Sequence, residues 1–217
     1  MKSLFDRLFG RREAMTTTAE VAPAASPDPD EKIDRLRDQI RRDVATGFYD
    51  EDVILVQAVA SFEEEFDPPV LRREAQRLLR EALLEHSEAQ RGWPERTDCD
   101  RLDDAFAALE ARGIVSRQHF TCCGTCGSTE IWDEIDAVEK AGRPARGYAF
   151  YHVQDTERAA EGGGLHLNYG ACEEGEEAAL AVAKDIVTHL EAHGLRTEWD
   201  GSWAQRIAVS LDWKRRR

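Results

Sequence analysis

Apolar residues recur three to four positions apart from Glu31 to Gly47, with Ile33, Leu36, Ile40 and Val44 on one stripe. That is the period of an amphipathic helix, and Gly47 ends it. Asp50 is suited to cap a second helix, with Glu51 and Asp52 in its first turn, and the run Val53–Phe62 behind them is apolar enough for a buried helix, with a strand as the alternative. "DPPV" at Asp67–Val70 gives another start signal, an Asp cap followed by Pro, and Leu71, Ala75, Leu78, Leu79, Ala82 and Leu83 then form one stripe. A fourth helix is predicted from about Asp100 to Arg112, with Leu102, Ala105, Phe106 and Leu109 inward and Gly113 as its stop.

After Gly113 the pattern shortens. Ile114–Phe120 reads as a strand, and Ser128 is placed to cap a helix carrying Ile131, Trp132, Ile135 and Val138. Tyr148–Val153 reads as a second strand, "QDTERAAEGGG" as a helical turn and loop, and "LHLNY" at Leu165–Tyr169 as a third strand with His166 and Asn168 on its polar face. Glu176–His193 is a helix, Leu195–Trp199 a strand, and "DGSW" turns the chain into a last strand, Gln205–Asp212. The order β-α-β, β-α-β plus one strand is that of a ferredoxin-like α+β fold. It predicts both helices on one face of the sheet, spatial strand order 4-1-3-2, and the fifth strand beside the fourth. The expected organisation is a leader and linker (1–30), an N-terminal helical subdomain (31–96) and the ferredoxin-like unit with a basic C-terminal tail (97–217).

Composition narrows the function classes. Hydrophobic residues make up 41% of the 217 and charged residues 33%, enough apolar material for a core. A net charge of −14 repels phosphate backbones and anionic membrane surfaces, which argues against nucleic-acid binding. No apolar run is long enough to span a bilayer. The start, "MKSLFDRLFGRREAM", is broken by Asp6 and Arg7 and is no secretory signal, although Leu4, Phe5, Leu8 and Phe9 would share one face of a short helix. Thr16–Asp30 has a linker composition. "WKRRR" at Trp213–Arg217 reads as a solvated tail, or in a sharper reading as an electrostatic docking site. These features point to a cytoplasmic protein.

Five cysteines without a secretory signal are free thiols, metal ligands or redox groups before they are disulfides. Three fall in "TCCGTCG": Cys122, Cys123 and Cys126. In the predicted topology they follow the first strand, on the rim where the second strand ends at His152 and the third begins beside His166. Cys172 falls at the opposite rim. Zinc takes about four Cys or His ligands. Cys123-x-x-Cys126 supplies a half-site, and Cys122 with His152 or His166 would complete a mixed one. A thiol before a helix N-terminus is also primed for redox chemistry, though Glu130, Asp133 and Glu134 oppose a thiolate there. The plain alternative is packing, with the sulfurs filling space under a glycine-bearing turn.

Other motifs add less. "CEEGEEA" and "FEEEF" are acidic helix ends, and "EGGGLH" lacks the Gly-Lys-Ser/Thr ending of a phosphate loop. There is no G-x-S-x-G, and a triad of Cys126, His152 or His166, and Asp155 exists only on paper. Trp199 and Trp203 with Arg206 flank a predicted hairpin and would serve as core lids or as a recognition surface for a protein partner. The stretches "DRLDDAFAALEARGI", "CCGTCGSTEI", "GYAFYHVQDTE" and "EWDGSWAQRIAV" resemble those of an uncharacterised bacterial domain family. The resemblance implies a soluble bacterial cytosolic protein and no particular reaction. The expectation is a non-catalytic interaction or regulatory module. Its rivals are a zinc or thiol-redox protein built on the three cysteines and a small-molecule enzyme with a His-centred pocket.

Overall fold

The computed structural model describes residues 28–217, so the leader and most of the linker lie outside the described residues. Four helices come first: α1 (Pro29–Thr46), α2 (Glu51–Phe62), α3 (Pro68–Gln90) and α4 (Asp98–Glu110). Asp28 accepts a hydrogen bond from Asp30 N–H to cap α1, and Gly47 closes it at φ 75. Helix α4 starts two residues before its predicted position because Thr97 and Asp100 form a capping box. Leu36, Ile40, Ile54, Ala58, Leu71 and Ala75 bury together, so α1–α3 share one core.

The rest is β1 (Ile114–Arg117), α5 (Gly124–Lys140), β2 (Gly147–Phe150), α6 (Val153–Ala160), β3 (Leu165–Ala171), α7 (Glu176–Ala192), β4 (Arg196–Glu198) and β5 (Ile207–Ser210). Helix, strand and overall α+β character follow the sequence, but the ferredoxin-like order does not. The sheet runs β1-β2-β3-β5-β4 rather than 4-1-3-2 with an appended fifth strand. β1 pairs β2 in parallel, and the remaining neighbours are antiparallel. Polarity explains where β5 goes. Ile207 and Val209 are buried, whereas Arg196 and Glu198 are exposed, so the apolar strand takes the inner place and the charged one the edge.

The two long crossover helices lie on opposite faces, not on one. Ile131, Ile135 and Val138 of α5 pack on Val115 and Phe150. Val182, Ala183 and Ile186 of α7 join α4 on Ala149, Leu165, Leu167 and Val209. Both crossovers step the same way along the sheet, but β1 and β3 point in opposite directions. Crossovers of one hand must then fall on opposite sides. A third departure is α6, a true helix where a turn was expected. No helix among the described residues is long and apolar enough to cross a membrane.

The basic C-terminus is not a solvated tail. Trp213 Nε1 donates to the Ala45 carbonyl (3.0 Å) and Arg217 to that of Tyr49 (2.6 Å). Arg215 donates to Asp103 (2.7 Å) and Gln118 (2.9 Å), and its guanidinium lies 4.4 Å from the Phe48 ring centroid. The last residues thus strap α1 to α4 and to the turn after β1. The Arg215 side chain is only 15% exposed, so removing it takes one partner from Asp103 and uncovers Phe48. Arg215→Ala is predicted to lower unfolding stability by about 1–2 kcal/mol, chiefly through lost packing. Lys214→Ala, at a surface pair with Asp212, should stay within about 0.5 kcal/mol of wild type in the same urea titration.

Candidate functional site

The parallel pairing of β1 and β2 brings their C-terminal ends, Arg117 and Phe150, side by side, and Phe150 faces Asn168 at the middle of the antiparallel β3, whose first half therefore runs on beyond that end. The chain stays tied beyond the strands: Phe120 N–H donates to the Tyr151 carbonyl (2.9 Å) and Val153 N–H to that of Thr121 (3.0 Å). The thiol-bearing turn, His152 and the entrance to β3 therefore share one rim. Cys172 leaves the far end of β3, donating its N–H to the Arg146 carbonyl at the opposite rim.

The turn is held from both sides. Gln118 accepts from Tyr151 Oη (2.6 Å) and donates to Asp103 (2.8 Å). His119 stacks on Phe48 at 4.6 Å, and its Nδ1 lies 3.0 Å from Thr156 Oγ1. His119 and Thr121 sit at φ 50 and 55, a left-handed conformation uncommon in non-glycine residues and concentrated at functional turns. Burial holds the His119 imidazole down to about 4, with the Arg215 charge adding to the effect. Helix α5 then begins at Gly124 with Cys123 as its N-cap, five residues ahead of the expected cap at Ser128. Gly127 lets the helix descend onto the sheet, since a Cβ there would run into the Phe150 ring.

Cys122, Cys123 and Cys126 converge, their three sulfurs within 4.8 Å of one another. The Cys122 and Cys126 sulfurs are 3.4 Å apart. Cys122 is exposed and the other two partly so. The early helix start also removes the objection from neighbouring acids. The first turn of α5 holds none, and Glu134 is paired with Arg117 at 2.8 Å. The Cys123 thiol is lowered, chiefly by the Cys126 backbone N–H, then by the Cys126 and Cys122 thiols. Cys126 is pushed up to about 11, first by its hydrogen bonding with the Cys122 and Cys123 thiols and then by their charge. Dipole and backbone donors thus select Cys123 as the first thiolate.

The two histidines do not join the sulfurs. His152 lies beside the start of α5, its Nε2 3.7 Å from where a Gly124 Cβ would stand. Both of its ring nitrogens are occupied, Nδ1 accepting from Asp155 N–H (3.2 Å) and Nε2 3.0 Å from Asp155 Oδ2. It serves as the N-cap of α6. His166 projects from β3 into a separate groove with Trp199 and Arg206. Burial lowers both imidazoles, with Arg206 adding to the effect on each and Asp155 opposing it. Asp155 is committed to His152 and to Arg206 (2.5 Å), which leaves the paper triad without a free acid. Trp199 is half-buried against Tyr169, while Trp203 is 51% exposed. The cap role of His152 and the polar neighbours of Arg206, Asn168 and Ser128, went unread in the sequence. The clue was the alternation of "LHLNY", which sets His166 and Asn168 on one face.

Residues 29–217 match a family model described as Domain of unknown function (DUF6891). No curated protein and no solved structure matches the chain.

The split between the thiols is measurable. In metal-free protein at pH 8, a thiol held at about 11 is thiolate in about one molecule in a thousand. Iodoacetamide should therefore modify Cys123 at least about tenfold faster than Cys126 by peptide mass spectrometry. Equal rates would refute the assignment of Cys123 as the leading thiolate.

Proposed function

We propose that this chain, which belongs to the DUF6891 family, is a zinc-binding module that holds the ion through Cys122, Cys123 and Cys126. One observation carries the reading: the three sulfurs already lie within 4.8 Å of one another. Tetrahedral zinc with Zn–S bonds of about 2.3 Å sets its sulfurs about 3.8 Å apart, so uptake asks for side-chain rotation and not refolding. The chemistry of the donors agrees. Zinc takes thiolates, Cys123 is biased toward that form, and bound metal would displace the protons that Cys126 shares with its neighbours. His152 is excluded as the fourth ligand while it caps α6, so the fourth position is left to water or to a donor from a partner. This favours the metal alternative over an interaction module without a metal, and no catalytic step is assigned.

A second reading rests on the 3.4 Å approach of the Cys122 and Cys126 sulfurs. Hydrogen peroxide would take two electrons from this pair, joining the sulfurs and leaving as two water molecules. Zinc would protect the thiols from that loss, and oxidation would expel the ion.

Reconstituted protein should hold one zinc per chain by elemental analysis. Cys122→Ser and Cys126→Ser should abolish the binding, and Cys172→Ser should leave it intact. The turn is built by backbone hydrogen bonds, so the chelated protein should keep its far-ultraviolet circular dichroism. Zinc that persists in both serine variants would overturn the proposal, as would a wild-type chain that takes up none.

A further inference from the structure

The face of the sheet opposite α7 is only half covered. Helix α5 lies over β1 and β2, while His166 of β3 and Ala208 of β5 line open space beside it that the loop from Trp199 to Arg206 borders. Two adjoining hollows result, about 260 Å³ and about 560 Å³, sharing Ala204, Gln205 and Arg206. The larger is of a size that small-molecule sites use. The loop is fixed, because Tyr169 Oη donates to the carbonyls of Ser202 (3.0 Å) and Gln205 (3.2 Å) and Trp199 Nε1 to that of Ser202 (3.2 Å).

The two ends of this groove carry opposite chemistry. The inner hollow holds unspent donors. Asn168 Nδ2 and Arg206 Nε are both buried without a partner among the described residues, although Arg206 Nη2 serves Asp155 and the His166 carbonyl. Ser128 of α5 borders the same hollow. Buried donors left unpaired are costly, and folded proteins keep few of them. An acceptor-rich group would find its partners here. The outer hollow is bordered by Glu198 and Asp200, which favour a cation. Tyr148 and the exposed Trp203 wall the inner hollow, flat apolar surfaces for an organic body.

We infer that this groove is a binding site, separate from the cysteine cluster, for a small zwitterion of the aminocarboxylate class, an amino acid or short peptide. The carboxylate lies toward Arg206 and Asn168, the ammonium toward Glu198 and Asp200, and the side chain against Trp203. Carboxylates at the outer end repel a multiply charged anion, which sets this ligand apart from phosphate. The site goes beyond the proposed metal function and does not depend on it.

The test uses the full chain, with and without added zinc, and three probes: phenylalanine, 3-phenylpropanoate without the ammonium, and phenethylamine without the carboxylate. Amide shifts at Asn168, Ala204 and Arg206 and the fluorescence of Trp203 report binding. Phenylalanine should bind at least about tenfold more tightly than either truncated probe, since each leaves charged groups unanswered. Glu198→Gln, an exposed change, should weaken phenylalanine and leave 3-phenylpropanoate unaltered. Asn168→Asp should weaken both carboxylates. Cys122→Ser should change none of these values, so that loss of the metal site and loss of this one are read separately. Absence of any response to phenylalanine at millimolar concentration would overturn the inference, and so would equal affinity for all three probes.

Discussion

The parallel alignment of β1 with β2 is the constraint from which the candidate chemistry follows. A parallel pair cannot be joined by a hairpin, so the chain must return along a helix, and that helix has to begin at the rim where both strands end. Ile114 to Arg117 pair in step with Gly147 to Phe150, and the ladder is prolonged by Phe120 on Tyr151 and Val153 on Thr121. Those rungs pin the turn between β1 and α5 at two points. The absent side chain of Gly127 sets how deeply α5 sits on Phe150. With strand, turn and helix depth all determined, the backbone that carries the three sulfurs, just before and within the first helical turn, is fixed. Their convergence follows from the crossover, not from any local preference of cysteine.

Electrostatics then distinguishes three residues of one type. The chain as a whole is strongly acidic, yet the first turn of α5 carries no acid, and Arg117 at the end of β1 is occupied by Glu110 and Glu134. What acts on the thiols is the helix terminus itself. Cys123 at the N-cap receives the Cys126 backbone N–H and becomes the better anion, while Cys126, crowded by the two other thiols, becomes the poorer one. A thiophilic cation resolves that competition by binding all of them. The scaffold behind the turn is equally specific. His119 is held neutral between Phe48 and Thr156, and the C-terminal strap brings Arg215 onto Gln118, so the helical layer supports the rim from below.

Much of this was legible in the sequence and some was not, for identifiable reasons. The helices of the first half were plain because stripe, cap and stop agreed, as at Gly47 and at the Asp-Pro-Pro start of α3. The shared rim of the cysteines and His152 was also legible, since it depends only on strand directions. The start of α5 was missed because cysteine is a poor signal for an N-cap and Ser128 a good one. The sheet order was missed because neighbour choice is a contest between strands. The low polarity of Ile207 and Val209 against Arg196 and Glu198 is visible in the sequence, but it decides the inner place only once the two strands compete for it. The C-terminal strap was hidden for a simpler reason. Its partners, Ala45, Tyr49 and Asp103, lie more than a hundred residues away in the chain.

The central claim is that the crossover builds a three-thiolate metal site at this rim. X-ray absorption at the zinc edge on the reconstituted chain tests it most directly, because it counts and measures the ligands of the ion itself. The account predicts a first shell of about three sulfurs at about 2.3 Å and one lighter oxygen or nitrogen scatterer. A shell made of oxygen and nitrogen alone would contradict it.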